Sequence, residues 1–213
     1  MRYGSDSSGS VWLPKLLGTY EIEIEPFIQD LLAKPFDTIV VAGAAEGYYA
    51  VGFALRTSCP VVYAFEPNPE ARRLLGELAS MNGVAEKIRL EGVCDLSTLN
   101  QVLEGRSHTL VFVDIEGGEA LLLDPLMVPA LKKATIVVEV HEMAVPGVGR
   151  LLRERFENTH DIIEQRTKPR RIEDYPMSRG GSLRRKLTDG AAIQLLSERR
   201  GCEMSWLIMS FKC

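Results

Sequence analysis

The stretch that most constrains the fold runs from residue 38 to residue 69. An apolar run is followed there by a glycine-flanked break, a helical pattern and a second apolar run that ends in Glu66. This order predicts a strand, a turn, a helix and a parallel strand with an acid at its carboxyl end. Backbone N–H groups at such a turn can approach a ligand, and the acid can hold ribose hydroxyls. The stretch therefore predicts a site for an adenosine-containing ligand.

The same alternation of apolar runs and amphipathic stretches continues to residue 156, with a predicted helix at 120–131. Strands separated by helices predict an α/β fold, in which a mostly parallel sheet is covered by helices on both faces. Further strands are predicted at 161–165 and 205–211. Almost wholly apolar runs are typical of central strands, and three runs have this character: 38–41, 110–113 and 135–138.

The length of 213 residues and the hydrophobic content of 46% suit one compact domain with an extension. We expect a flexible tail at 1–10, a helical extension at 11–36 and the α/β domain at 37–213. Within that domain, residues 166–186 carry eight Lys or Arg residues against two acids and predict a mobile basic loop. Such a loop is either a solvated surface segment or a device that recruits an anionic small-molecule substrate.

Charge and cysteine usage exclude several classes of protein. A net charge of −4 provides no global positive field for nucleic acid or an anionic membrane. The four cysteines form no Cys-x-x-Cys pair and only three histidines are present, so neither a zinc cluster nor a disulfide framework is expected. Because no apolar run approaches the roughly 18 residues of a membrane span, we expect a cytoplasmic protein.

The glycine turn discriminates between two adenosine ligands. Ala45 occupies the second glycine position of a pyrophosphate-binding turn, and the Glu46 carboxylate would repel phosphate. The same carboxylate could accept a hydrogen bond from the amino group of a methionine moiety. S-adenosylmethionine is therefore favoured over a dinucleotide. The residues expected to contact it are Gly43, Ala44, Ala45, Glu46, Gly47, Tyr48, Glu66, Pro67, Asn68 and Asp95.

Two of these acids have a second interpretation. Glu66 binds the cofactor or only complements the dipole of the helix that begins near Asn68. Asp95 approaches an adenine or serves as an ordinary helix N-cap before Leu-Ser-Thr-Leu.

Polar residues that follow the fourth and fifth predicted strands are the catalytic candidates. Asp114 would orient the methyl donor, act as a general base or bind a metal. By the period of two, Glu139 and His141 point to the same side of their strand and could serve as a base and its orienter. The alternative is a histidine that is only hydrogen-bonded at a strand end.

Three segments together resemble the signature of FkbM-type class I methyltransferases, roughly over residues 38–142: Gly43-Ala44-Ala45-Glu46-Gly47-Tyr48-Tyr49, Phe65-Glu66-Pro67-Asn68-Pro69 and Asp114-Ile115-Glu116-Gly117-Gly118-Glu119. Segments around this core in relatives are similar to Gly18-Thr19-Tyr20-Glu21 and Trp206-Leu207. The resemblance implies a seven-stranded sheet with an antiparallel last strand, and methylation of an oxygen with S-adenosylmethionine. The chain departs from the family at Val41, where relatives commonly have Asp, and at Phe112, where they commonly have Lys.

The functional hypothesis is O-methylation of a small hydroxyl-bearing substrate, such as a sugar or a secondary metabolite. Direct transfer needs alignment of donor and acceptor and modest help from a base. A nicotinamide-dependent oxidoreductase and a non-catalytic cofactor-binding or assembly module are the alternatives. Substrate contacts are expected from residues 11–32 and 166–186, and the sequence leaves metal use and oligomeric state open.

Overall fold

The computed structural model describes residues 1–4, 8 and 10–212, without the side chains of 178–180. Its strands are β1 (Thr38–Ala42), β2 (Val62–Phe65), β3 (Ile88–Glu91), β4 (Thr109–Val113), β5 (Thr135–Val140), β6 (His160–Arg166) and β7 (Ser205–Phe211). Its helices are α1 (Trp12–Leu17), α2 (Glu25–Leu32), α3 (Tyr48–Arg56), α4 (Pro69–Met81), α5 (Leu96–Leu103), α6 (Glu119–Leu122), α7 (Val148–Phe156), α8 (Met177–Arg184) and α9 (Asp189–Leu196).

All seven of these strands form one sheet in the order β3-β2-β1-β4-β5-β7-β6. The pairs among the first five strands of that order are parallel, whereas β7 runs antiparallel to both β5 and β6. This confirms the predicted seven-stranded α/β sheet with its antiparallel last strand. No helix of the described residues combines the length and the hydropathy that a bilayer crossing requires.

Helices bury the two faces of the sheet in separate apolar layers, as the uninterrupted burial of β1 and β4 indicates. In one layer, the Tyr49 ring lies 4.2 Å from the Phe112 ring between centroids, and Phe112 lies 5.2 Å from Trp206. Val41 belongs to the same layer and is 1% exposed. The two positions at which the chain departs from the FkbM pattern are therefore packing positions.

Two predicted elements were wrong. The helix expected at 120–131 is only the short α6 followed by a 3-10 turn at Pro129–Lys133, because Pro125 and Pro129 cannot continue an α-helix. The basic stretch at 166–186, expected to be a loop, contains the end of β6, a 3-10 turn at Ile172–Asp174 and helix α8.

The predicted helical extension folds against the turn after β1. Residues 5–7 and 9 of the predicted flexible tail lie outside the described residues. Glu46, expected to face the ligand, is 2% exposed and accepts hydrogen bonds from Lys15 Nζ and the Tyr3 hydroxyl, each at 2.5 Å. The Ser8 N–H donates to its second oxygen at 3.2 Å. This is a correction: the Glu46 carboxylate anchors the N-terminal segment.

A close approach of backbones fixes the exit of β1. Gly43 has a φ of +81°, and a Cβ built there would lie 1.6 Å from the Asp114 carbonyl oxygen. Any side chain at this position would push the glycine turn away from the end of β4.

We expect Gly43→Ala to lower the free energy of unfolding by about 3 kcal/mol, since it adds left-handed strain to a backbone clash. Gly52→Ala is the matched control, because nothing lies within 4 Å of its Cβ position in α3. It should raise stability by about 0.5–1 kcal/mol. Urea unfolding measures both variants, and equal effects would contradict the close approach.

Breaking the buried pair that anchors α1 should be costly. The Lys15 and Glu46 side chains are each 3% exposed, so Lys15→Met should lower stability by about 3 kcal/mol through the uncompensated carboxylate. Arg73→Met removes an exposed pair, in which the Arg73 side chain is 52% exposed and the Glu70 side chain 64% exposed, and should change stability far less than Lys15→Met does. Urea unfolding would refute the anchor if the two variants behaved alike.

Candidate active site

A cleft of about 570 Å³ opens at the carboxyl ends of β1, β2, β4 and β5. Ligands of parallel α/β sheets bind at this edge, because the turns that leave the strands converge there. Part of the wall comes from the N-terminal segment, through Val11, Lys15 and Tyr20, and part from residues 198–202 before β7. The cleft is therefore built by the sheet and by both ends of the described chain.

Glu66, the first residue after β2, is held rigidly at this cleft. Its Oε2 accepts the Ala45 N–H at 2.9 Å and its Oε1 accepts the Asn68 N–H at 2.8 Å. The carboxylate thus joins the glycine turn to the N-cap of α4. Each oxygen of a carboxylate can accept a further hydrogen bond, so Glu66 fits a ligand with paired hydroxyls.

The expected cofactor residues divide into two groups. Six line the cleft: Gly43, Ala44, Ala45, Tyr48, Glu66 and Asn68. The other four, which are Glu46, Gly47, Pro67 and Asp95, are not among its lining residues. Gly47 instead packs tightly, because a Cβ there would lie 2.6 Å from Leu75 Cγ. Asp95 is exposed and forms a capping box with Thr98 at the start of α5, which is its alternative interpretation as an N-cap.

The structure brings the three catalytic candidates together on the floor of the cleft. His141 Nε2 lies 3.6 Å from Asp114 Oδ1 and 3.7 Å from Glu139 Oε2. Glu139 and His141 do share one side of their strand, as the period of two predicts. Glu116 adds a third carboxylate, with its Oε2 at 3.2 Å from the same nitrogen.

Glu119 orients the imidazole and was not singled out from the sequence. It is fully buried, and its Oε1 lies 2.6 Å from His141 Nδ1 and accepts the Gly117 N–H at 2.9 Å. Burial lowers the pKa of His141, but Glu119 and the neighbouring carboxylates outweigh it and the net shift is upward. Burial raises the pKa of Glu119, yet the bonds from His141 and Gly117 bring it below its ordinary value. The pair therefore favours imidazolium and carboxylate.

The pKa of Asp114 shifts in the opposite direction to that of Glu119. Burial raises its pKa well above the ordinary range, and the nearby Glu139 and Glu21 raise it further. Its Oδ1 is buried and has no hydrogen-bond partner among the described residues. An oxygen placed in this way is suited to a ligand that brings a donor or a cation.

Arg200 connects the floor of the cleft to its wall. It was not singled out from the sequence either. It binds Glu21 at 2.6 Å and Glu198 at 2.8 Å, and also reaches Glu139 Oε1. Glu21 accepts the Tyr49 hydroxyl as well and has a φ of 49°, a strained value for a residue with a side chain. The only sequence feature that pointed to Glu21 was the similarity of residues 18–21 to a segment in FkbM-type methyltransferases.

The protonation of Glu21 should make stability depend on pH. Burial, together with Glu139, raises its pKa from 4.5 to about 8. Between these values the folded chain holds a proton that the unfolded chain has released, so the free energy of unfolding falls as pH rises. The slope approaches about 1.4 kcal/mol per pH unit for one proton.

Glu21→Gln removes this proton, so its unfolding free energy should fall less than that of the unsubstituted protein between pH 5 and pH 8. Urea unfolding at several pH values measures the two slopes. Glu25→Gln replaces an exposed acid of the same segment and should retain the original slope. Parallel curves for Glu21→Gln and the unsubstituted protein would contradict the assignment.

No protein-family model matches this chain, and no curated protein matches it. Solved structures do match. A Klebsiella pneumoniae protein classed as an O-methyltransferase has a TM-score of 0.57 at 11% identity, covering 93% of this chain and 89% of its own. A Methanobacterium thermoautotrophicum structure described as precorrin 8w decarboxylase has a TM-score of 0.56 at 15% identity, covering 99% and 96%.

A third match is a Corynebacterium diphtheriae domain classed as a precorrin-6Y C5,15-methyltransferase. Its TM-score is 0.54 at 16% identity, covering 92% of this chain and 99% of its own. The three proteins are named for different reactions, and what they share with this chain at such low identity is the fold. The chain therefore has the Rossmann-like fold found in class I methyltransferases.

Proposed function

We propose that the protein is an S-adenosylmethionine-dependent methyltransferase of the FkbM type. Its substrate would be the hydroxyl of a small molecule such as a sugar or a secondary metabolite. The observation that carries the proposal is the position of Glu66, fixed by Ala45 and Asn68, in the same cleft as Asp114 and His141. A carboxylate suited to ribose hydroxyls thus lies in one cleft with groups that can hold an acceptor hydroxyl.

The electrostatics of the cleft support this cofactor over a dinucleotide. The charge of Glu46 is neutralised by Lys15, so Glu46 cannot be the group that would repel a pyrophosphate. Glu116 takes over that role, since it lines the cleft beyond the Gly43 turn. Its carboxylate would repel phosphates and attract a positively charged ligand.

S-adenosylmethionine supplies a methyl group on a positively charged sulfur, which passes to an acceptor oxygen and leaves a neutral thioether. The residues of the chain would hold the acceptor and take its proton as the new O–CH3 bond forms. Asp114, Glu139 and His141 line this part of the cleft. Because Asp114 and His141 favour their protonated forms, Glu139 is the group that would take the proton. Alignment in a closed cleft supplies most of the rate, and proton removal adds to it.

The acceptor has room in a second cleft of about 620 Å³ between α1, α2 and α3. It adjoins the first cleft at Lys15, Tyr20, Tyr48 and Tyr49, which line both. This volume is typical of small-molecule sites. These lining residues support the expected substrate contacts from residues 11–32. No described residue of 166–186 lines either cleft.

Glu66→Gln should weaken binding of S-adenosylhomocysteine at least tenfold, about 1.4 kcal/mol, because the amide cannot accept both backbone N–H groups and the ribose hydroxyls. Isothermal titration calorimetry measures the affinity. The matched control is Glu70→Gln, in the first turn of α4, whose side chain is exposed and paired with Arg73. It should bind as the unsubstituted protein does.

The same titration tests the two alternatives. Binding of NAD without binding of S-adenosylhomocysteine would replace the methyltransferase by an oxidoreductase. Binding of S-adenosylhomocysteine without transfer of a labelled methyl group to any sugar or metabolite hydroxyl would favour the non-catalytic module.

A further inference from the structure

We propose that Asp114, Glu139 and His141 form a binding site for a divalent metal ion, with Mn²⁺ as the ion that best suits the donors. One ligand atom from each residue lies within 4.8 Å of the others. His141 Nε2 lies 3.6 Å from Asp114 Oδ1 and 3.7 Å from Glu139 Oε2. Glu139 lies in β5, His141 directly follows it and Asp114 directly follows the adjacent strand β4, so the sheet itself fixes their spacing. A small movement of side chains, with release to solvent of the protons on Nε2 and on Asp114, would bring all three atoms onto one ion.

The imidazole is already oriented as a metal ligand. Glu119 Oε1 lies 2.6 Å from Nδ1, so it accepts that proton and leaves Nε2 directed at the two carboxylates. Histidines that bind metals usually donate their other ring N–H to a carboxylate or carbonyl, which fixes the tautomer. Glu119 is fully buried and is itself bonded to the Gly117 N–H. The orienting partner is thus rigid.

One carboxylate lacks a hydrogen-bond partner in the described part of the chain at the atom that would bind the ion, and the other has an oxygen that Arg200 does not bind. Asp114 Oδ1 is buried without a hydrogen-bond partner among the described residues. Arg200 binds Oε1 of Glu139, which leaves the Oε2 atom toward His141. Glu139 is 4% exposed at its side chain and His141 is 7% exposed. A cation would supply the opposite charge that such a buried group requires.

The donor set identifies the class of ion. Two carboxylate oxygens suit Mg²⁺, Ca²⁺ and Mn²⁺, while an imidazole nitrogen suits transition metals, and Mn²⁺ satisfies both preferences. Glu116 could add a further oxygen, since its Oε2 lies 3.2 Å from Nε2 and its side chain is 82% exposed and free to turn. A site with three or four protein ligands leaves positions open toward the cleft.

The role of the ion rests on the proposed function. The open positions face the cleft in which the acceptor hydroxyl would lie, so its oxygen would be the remaining ligand. Coordination to a divalent cation lowers the pKa of a bound O–H group and fixes the oxygen in place. The proposed substrate class is therefore a small molecule whose hydroxyl oxygen is able to coordinate a metal.

Titration of the full chain with Mn²⁺, followed by the loss of the free-ion electron paramagnetic resonance signal, tests the site directly. We expect one ion per chain, and at least a tenfold loss of affinity in His141→Ala and in Asp114→Asn. His108→Ala is the matched control, because His108 is exposed and remote from the cluster. It should bind Mn²⁺ as the unsubstituted protein does. Circular dichroism confirms that each variant is folded, and Asp114→Asn, which keeps the side-chain shape, decides the matter if His141→Ala does not fold.

Absence of Mn²⁺ binding to the unsubstituted protein, or equal affinity in Asp114→Asn and His108→Ala, would overturn the proposal. Calorimetry with S-adenosylhomocysteine on the same samples separates this result from the proposed function. Cofactor binding without metal binding would overturn the metal site alone. Metal binding with the expected variant pattern but without cofactor binding would support the site and overturn the proposed function.

Discussion

The cleft depends on the ion-pair network around Arg200. This one guanidinium binds Glu21 from the N-terminal segment, Glu139 from β5 and Glu198 from the segment before β7. Removal of an arginine from such a site leaves buried acids without their hydrogen-bonded partner, and this is far more destabilising than loss of an exposed pair. Arg170 extends the network by joining Glu23 at 2.6 Å and Glu198. The network therefore ties the wall of the cleft to its floor.

Local patterns were sufficient to predict the sheet and the edge at which the cleft lies. The apolar runs of β1, β4 and β5 and the helical periods between them each extend over a few residues. The rule that parallel strands end at one edge then brings Glu66, Asp114 and Glu139 to one place. That Glu139 and His141 share a side follows from the period of two alone.

Pairings between distant residues could not be predicted in this way. Arg200 and Glu21 are 179 positions apart, and no periodicity connects them. The contacts of Glu46 could not be predicted for the same reason. Its place in a glycine turn suggested a ligand contact, but its carboxylate is bound by Lys15, 31 positions earlier in the chain. In the folded chain Glu116, and not Glu46, is a carboxylate that lines the cleft. Tertiary contacts decided which acids face the cleft.

The position of β7 has a consequence for synthesis of the chain. β7 follows every other described strand in sequence, yet it lies between β5 and β6 in the sheet. Until it is made, β5 has an unpaired apolar edge, which is the kind of surface that pairs with other chains. Glu139 lies opposite Trp206 in the β5–β7 ladder, so a nascent chain can assemble the part of the cleft around Glu66 before the part around Glu139 is held.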